Sequence, residues 1–172
     1  MTPQEKYDKA SRDERNEMFP FLPVLLRKAA GVILEIGTCD GYSTAAFLLG
    51  VKARGGYVYS VDIDPRCSQL YPGNSQWSFI HSDSVVASNV IKALPKNDAC
   101  IDVLLIDGYH EHPIVDSDVQ NYVPLVKKGG VVLMHDINMH DVRDAYHELC
   151  VRTGFVHFEL QDRWGLGIVY VR

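Results

Sequence analysis

A chain of 172 residues, 47% hydrophobic and 23% charged, has the makeup of one globular domain large enough to bury its own core. A net charge of −5 with no run of Lys or Arg argues against nucleic acid as a partner. No apolar stretch reaches membrane-span length, the polar N-terminus has no signal-peptide pattern, and the four cysteines show no CxxC spacing. Reduced thiols, no membrane contact and a cytoplasmic location are therefore expected.

Residues 1–18 read as a polar helix or a frayed arm. FPFLPVLLRKAA follows, with Pro23 placed where a helix can begin. This segment is expected to pack across a sheet or to cover a crevice. Residues 1–30 are thus taken as an N-terminal arm and residues 31–172 as the main domain.

The main domain opens on VILEIGTCDGYST, residues 32–44. Val32, Ile33, Leu34 and Ile36 form an apolar run with strand preference, and Gly37 ends it. Gly41 follows, then Ser43, Thr44 and the helix-like AAFLLG. Strand, tight glycine turn and helix let backbone come close to a ligand and aim the N–H groups of the helix start at it. Glu35 would repel a pyrophosphate but suits a cationic nucleoside, for which S-adenosylmethionine is the obvious candidate. The plain alternative is the glycine turn of any doubly wound protein.

YVYSVDID (57–64) ends in Asp62 and Asp64. Asp62 lies 25 positions past Gly37, where an acidic residue can accept hydrogen bonds from ribose hydroxyls. WSFIHSDS (77–84) is a third strand. Its Asp83 or Ser84 can meet an adenine edge, and Ser82 or Asp83 can equally cap the helix SVVASNVIKAL. IDVLLIDG (101–108) is a continuously apolar, two-face-buried strand that delivers Asp107, then Tyr109, His110, Glu111 and His112. A helix carrying Asp118 and Tyr122 follows, expected to stop at Gly129-Gly130. VVLMHDI ends in His135-Asp136. After an amphipathic helix, FVHFELQ and GLGIVYVR close the chain as an antiparallel hairpin through Asp162-Arg163-Trp164-Gly165. The expected fold is α/β, a Rossmann-like doubly wound sheet of seven strands, mostly parallel, with a C-terminal antiparallel hairpin. Glu35, Asp62, Asp83, Asp107 and Asp136 then line one sheet edge, where ligands of such sheets bind.

LEIGTCDGYST, VDIDP, LLIDGYH and GGVVLMHD together resemble class I S-adenosylmethionine-dependent methyltransferases, in the catechol O-methyltransferase-like branch. The resemblance implies that Glu35, Gly37, Thr38, Gly41 and Ser43 hold the methionyl part of the cofactor. It places Asp62 on the ribose and Asp83 and Ser84 beside the adenine, with Asp107 also near the cofactor. It makes Asp107 and Asp136 ligands of a divalent metal such as Mg²⁺. His110 stands where those enzymes carry a lysine base, and a histidine can take a hydroxyl proton near neutral pH. His110 and Asp107 are therefore the catalytic candidates, with a small-molecule or sugar hydroxyl as acceptor.

Ile137 departs from the pattern, because the relatives place an asparagine ligand there. His135 is then a third metal candidate, and a metal-free hydrogen-bonded His135-Asp136 pair is the alternative. Only residues 1–30 precede the first motif, so an open acceptor site, or one completed by a homo-oligomer, is expected. His112, Tyr109 and Trp164 are candidates for the acceptor pocket, Trp164 equally for hairpin packing. Two other readings stay open. One is a transition-metal hydrolase or oxygenase built on Asp107, His110, His112, His135, Asp136 and His140. The other is a non-catalytic protein that binds an adenosyl ligand.

Overall fold

The computed structural model describes residues 1–95 and 99–172. Its strands are β1 (Gly31–Ile36), β2 (Gly56–Asp62), β3 (Trp77–His81), β4 (Ile101–Ile106), β5 (Val126–His135), β6 (Val156–Leu160) and β7 (Leu166–Tyr170). Its α-helices are α1 (Pro3–Ala10), α2 (Leu22–Lys28), α3 (Tyr42–Arg54), α4 (Ala87–Ile91), α5 (Ile114–Tyr122) and α6 (His140–Thr153). The strands form one sheet in the order β3-β2-β1-β4-β5-β7-β6. Strands β1 to β5 run parallel, and β7 lies antiparallel between β5 and β6. The seven-stranded Rossmann-like sheet with its closing hairpin is therefore present. From β1 the chain steps outward through β2 to β3, then returns to place β4 on the other side of β1. That reversal opens a crevice at the carboxyl ends of β1 and β4.

The pleat sends successive side chains to opposite faces and builds two cores. Leu34, Ile36, Leu104, Ile106, Val132 and Met134 pack under α4, α5 and α6. Ile33, Val103, Leu105, Val131 and Leu133 pack under the first three helices. Glu35 shares the parity of Ile33, so it is carried beneath α3 rather than toward the crevice.

The first 30 residues are an integral part of the second core. A capping box starts α1: the Glu5 N–H donates to Thr2 Oγ1 at 3.2 Å, and the Thr2 N–H donates to Glu5 Oε2 at 2.8 Å. Ala10, Met18, Phe21, Leu22 and Leu25 are buried in one cluster with Phe47 and Val51 of α3.

Two local expectations change. The helix carrying Asp118 ends at Tyr122, not at Gly129-Gly130. Pro124 lacks the N–H that would continue it, and β5 is already paired with β4 from Val126. Gly129 and Gly130 bond instead to Val171, beyond β7. Helix α4 is also only five residues long, with Val86 at its N-cap and no side-chain cap. Asp83 Oδ1 accepts the Val85 N–H at 3.1 Å, an Asx turn that precedes the helix instead of capping it.

Candidate active site

The glycine turn is fixed from three sides. Gly37 has φ +88°, and a Cβ there would run into the Asp107 carbonyl, so β1 and β4 can meet only through glycine. Gly41 (φ +73°) is the N-cap of α3, and its carbonyl accepts the buried Tyr71 hydroxyl at 2.5 Å. Asp62 supplies the third tether. Its Oδ2 accepts the Thr38 and Cys39 N–H groups, both at 2.9 Å, while Oδ1 accepts the Asp64 N–H at 2.9 Å. The carboxylate retains acceptor capacity after these bonds. Cys39 pays for this tether with φ +45°, a left-handed conformation that is uncommon for a side-chain-bearing residue.

Glu35 lies behind this turn at 0% exposure and lines no part of the crevice. Its Oε2 accepts Thr44 Oγ1 at 2.6 Å and Ser60 Oγ at 2.5 Å, and Ser60 in turn accepts the Trp77 indole N–H at 3.0 Å. Burial pushes the Glu35 carboxyl up to about 7 against the opposing hydroxyls of Ser43, Ser60 and Thr44. Its other oxygen, Oε1, has no partner among the described residues.

Two cavities flank the turn. One, of about 470 Å³, has walls of Ile36, Val61, Ile63, Tyr109 and Ile114, with Asp62, Asp83 and Ser84 at its edges. Apolar faces with a polar rim suit a flat heteroaromatic ring. The other, of about 630 Å³, is lined by Thr38, Asp40, Ser43, His110, His135 and Asp136 and by the segment Asp13–Met18. Cys39, Asp107 and Gly108 border both, so the two are lobes of one crevice. One wall of the second lobe is this chain's own N-terminal segment.

Its floor is a cluster of two carboxylates and two imidazoles. His135 Nδ1 lies 2.9 Å from Asp107 Oδ1 and 3.1 Å from Asp136 Oδ2. His110 Nε2 lies 2.9 Å from Asp136 Oδ2 and 3.9 Å from Asp107 Oδ1. Asp107 and Asp136 together hold the His110 imidazolium, whose pKa is raised to about 9. Burial opposes charge on His135, but the same two carboxylates outweigh it and raise its pKa. Burial likewise opposes charge on Asp136, and the two imidazoles outweigh it and lower its pKa. His135 is 3% exposed and meets the edge of Phe21 at 5.4 Å between ring centres, which ties the N-terminal segment to the cluster. Asp136 has φ +58°, a strained turn that directs its carboxylate into the crevice.

Asp107, His110 and Asp136 each offer a ligand atom, all within 4.8 Å of one another. Ile137 is buried in the core, and Asn138 is spent on Arg163, Arg143 and the Trp164 carbonyl. The sequence-level set of six Asp and His residues is only partly assembled. His112 pairs with Asp116 at 2.5 Å, and exposed His140 pairs with Asp141 at 3.0 Å, both outside the crevice. Trp164 lies in the β6–β7 loop and lines neither lobe, and Tyr109 borders the apolar lobe.

Three features had no clear sequence signal as site residues: the Asp13–Met18 wall, Cys39 and Asp118. Asp118 is 0% exposed behind Gly108, and burial pushes its carboxyl up to about 6, opposed by the Ser84 hydroxyl. Tyr122, one turn further along α5, donates its hydroxyl to the Ser84 carbonyl. Helix α5 thus braces the Asp83–Ser84 edge of the apolar lobe.

The sheet order, the crevice at the β1/β4 reversal and the acid at the end of β2 define a doubly wound domain of the methyltransferase kind. A family described as "Methyltransferase domain" matches residues 34–137, and the chain belongs to that family. No curated protein sequence matches it significantly. Among solved structures it is similar to a Staphylococcus aureus protein assigned as a caffeoyl-CoA O-methyltransferase, at 20% identity and TM-score 0.71, covering 93% of this chain and 85% of that one. A Bacillus cereus O-methyltransferase in complex with SAH is similar at 16% identity and TM-score 0.73, covering 99% and 90%. MycE, a methyltransferase of mycinamycin biosynthesis solved with Mg, SAH and mycinamycin VI, is similar at 15% identity and TM-score 0.69, covering 98% of this chain and 53% of that one. At these identities the likeness concerns the fold. Among the described residues no helix is long and apolar enough to cross a membrane.

Proposed function

We propose that this chain transfers a methyl group from S-adenosylmethionine to a hydroxyl of a small-molecule acceptor, with His110 as the proton-accepting group. The observation that carries the reading is the two-lobed crevice: an apolar lobe edged by Asp62 and Asp83 opens, across Cys39, Asp107 and Gly108, into a lobe floored by His110. The cofactor fits the residues present. Ile36, Val61, Ile63 and Ile114 would sandwich the adenine, Asp83 and Ser84 would meet its edge, and Asp62 would take the ribose hydroxyls. Gly37, Thr38, Gly41 and Ser43 would border the methionyl part, with Asp107 close by. Glu35 would act from behind Ser43 and Thr44, anchoring the start of α3 through the Thr44 hydroxyl without direct contact with the cofactor.

When bound, S-adenosylmethionine supplies an electrophilic methyl group. The chain's task is to hold a hydroxyl in line with that methyl and to remove its proton. His110 faces the lobe on the loop after β4 and is held by Asp107 and Asp136. Those carboxylates keep the imidazole protonated until the pH approaches about 9. Proton acceptance at neutral pH therefore needs their charge to be compensated. A divalent cation held by Asp107 and Asp136, with His135 as third ligand, would supply that compensation, leave the His110 imidazole free to accept the proton, and lower the acceptor's pKa. The donor set of two carboxylates and an imidazole nitrogen suits a borderline cation better than Mg²⁺, which prefers an all-oxygen shell.

Calorimetric titration with S-adenosylmethionine and SAH, with and without Mg²⁺ or Mn²⁺, tests the reading. Binding of both nucleosides is expected, and no heat with either overturns it. A second reading, a transition-metal hydrolase or oxygenase, rests on the ligand atoms of Asp107, His110 and Asp136. Stoichiometric Zn or Fe in the purified protein, together with silent nucleoside titrations, would favour it.

A further inference from the structure

Strand β6 ends the sheet, with β7 on one side and no neighbouring strand among the described residues on the other. Its free edge carries none of the features that usually blunt one: FVHFELQ, residues 155–161, contains no Lys, Pro or Gly. The opposite edge of the sheet differs. On β3 only His81 is exposed, whereas His157, Phe158 and Leu160 of β6 all are. Phe158 rests edge-on against Tyr170, 6.1 Å between ring centres, and is still 57% exposed.

The ladder fixes which backbone groups face outward. The Val171 N–H donates to the Gly130 carbonyl at 3.0 Å, so Val171, Val169 and Gly167 turn their polar groups to β5. Alternation then turns Tyr170, Ile168 and Leu166 to Val156, Phe158 and Leu160 of β6. His157 and Glu159 are left with N–H and C=O pointing away from the sheet. Their side chains lie on the α6 face, beside Tyr146 and Arg143, and those of Val156, Phe158 and Leu160 lie on the other.

Two such edges complement each other when they run antiparallel about a two-fold axis at Phe158. His157 of each copy then faces Glu159 of the other, Val156 faces Leu160, and Phe158 faces itself. Each His157–Glu159 pair exchanges both backbone hydrogen bonds, and Phe158 falls in the intervening non-hydrogen-bonded pair, where side chains come closest. Glu159 keeps room for a new donor. Its Oε2 accepts Arg143 at 3.0 Å and Gln161 at 2.5 Å, but the only neighbour of Oε1 is His147 Nε2 at 3.7 Å. A slip of two residues sets Glu159 against Glu159 or His157 against His157, and a slip of one sets the apolar face against the polar one.

We propose that the β6 edge is a self-pairing surface whose partner is a second copy of this chain, joined antiparallel at Phe158 into one continuous sheet. The contact centres on one short strand, so dimerisation is expected to depend on concentration. It is independent of what the crevice binds.

Sedimentation equilibrium of the full chain tests this. The wild type is expected to move from 19.3 kDa toward twice that mass as its concentration rises from low to high micromolar. Phe158→Lys and Phe158→Glu each set like charges face to face on the axis, and each is expected to stay at the monomer mass. Mixed in equal amounts, they set opposite charges there, and the dimer mass is expected to return. Phe158→Cys adds a readout that does not rest on the charged variants. On air oxidation it is expected to give a disulfide-linked dimer above the wild-type background, and His157→Cys is not. A wild type that stays monomeric, charged variants that dimerise as the wild type does, folded variants that stay monomeric on mixing, or equal cross-linking of the two cysteine variants overturns the proposal.

Discussion

His110 and Glu35 are both charge-bearing groups whose surroundings set their protonation, and they are set in opposite ways. His110 is charged by two neighbouring carboxylates, so its capacity to accept a proton grows as pH rises toward about 9. Methyl transfer without added metal is expected to climb over that range in a pH–rate profile. A divalent cation is expected to move the rising limb to lower pH. His110→Gln should lower kcat about a hundred- to ten-thousand-fold with little change in SAH affinity; a variant that turns over at the wild-type rate removes the role. Glu35 is instead kept neutral by burial. A carboxyl that titrates at about 7 when folded, against 4.5 ordinarily, holds its proton better in the folded chain than in the unfolded one. Stability must then fall as pH rises from about 4.5 to about 7. Asp118, raised to about 6, adds to the fall over this range, and His110 and His135, raised from 6.5, extend it to higher pH. Urea unfolding across this range should show a shallower decline for Glu35→Gln than for the wild type.

At the scale of elements, the site is a junction of strand ends held by cross-ties. Asp62, at the end of β2, anchors three backbone N–H groups of two different loops. It can therefore shape the glycine turn and still face the apolar lobe. Asp62→Ala should cost about 2–3 kcal/mol in urea unfolding, because N–H groups bonded to a charged acceptor lose their partner. It should weaken SAH at the same time, and loss of one without the other would separate the two roles. Helix α5 acts similarly from the far side, where the Tyr122 hydroxyl braces the Ser84 edge. On the opposite face Phe21 packs its edge on His135. Replacing it with Ala should destabilise the fold by about 3–5 kcal/mol and loosen the Asp/His cluster.

Across the whole molecule, the first 30 residues and the sheet share one core. Removing residues 1–30 would expose the face of α3 that holds Phe47 and Val51. The truncated chain is expected to lose cooperative unfolding by circular dichroism and heat; a sharp transition near that of the full chain would overturn this. The family and the order of strands and helices were legible in the sequence, because strand periodicity, a glycine turn and acids at strand ends are local patterns. VILEIGTCDG, VDID, IDGYH and VVLMHD each announce a strand and what lies at its end. Helix limits were less legible: Pro124 and the pairing of Val126 with Ile101 ended α5 well before the glycine pair that local rules favoured. Tertiary structure alone decided three things. It turned Glu35 away from the crevice, since the pleat assigns each residue a face only once the covering helix is in place. It joined His110 and His135 to Asp107 and Asp136 while leaving His112 and His140 outside, since these two imidazoles pair with Asp116 and Asp141 instead. It also set Asp13–Met18 and the Asp/His cluster around one lobe, a juxtaposition of segments far apart in the chain that no local pattern encodes.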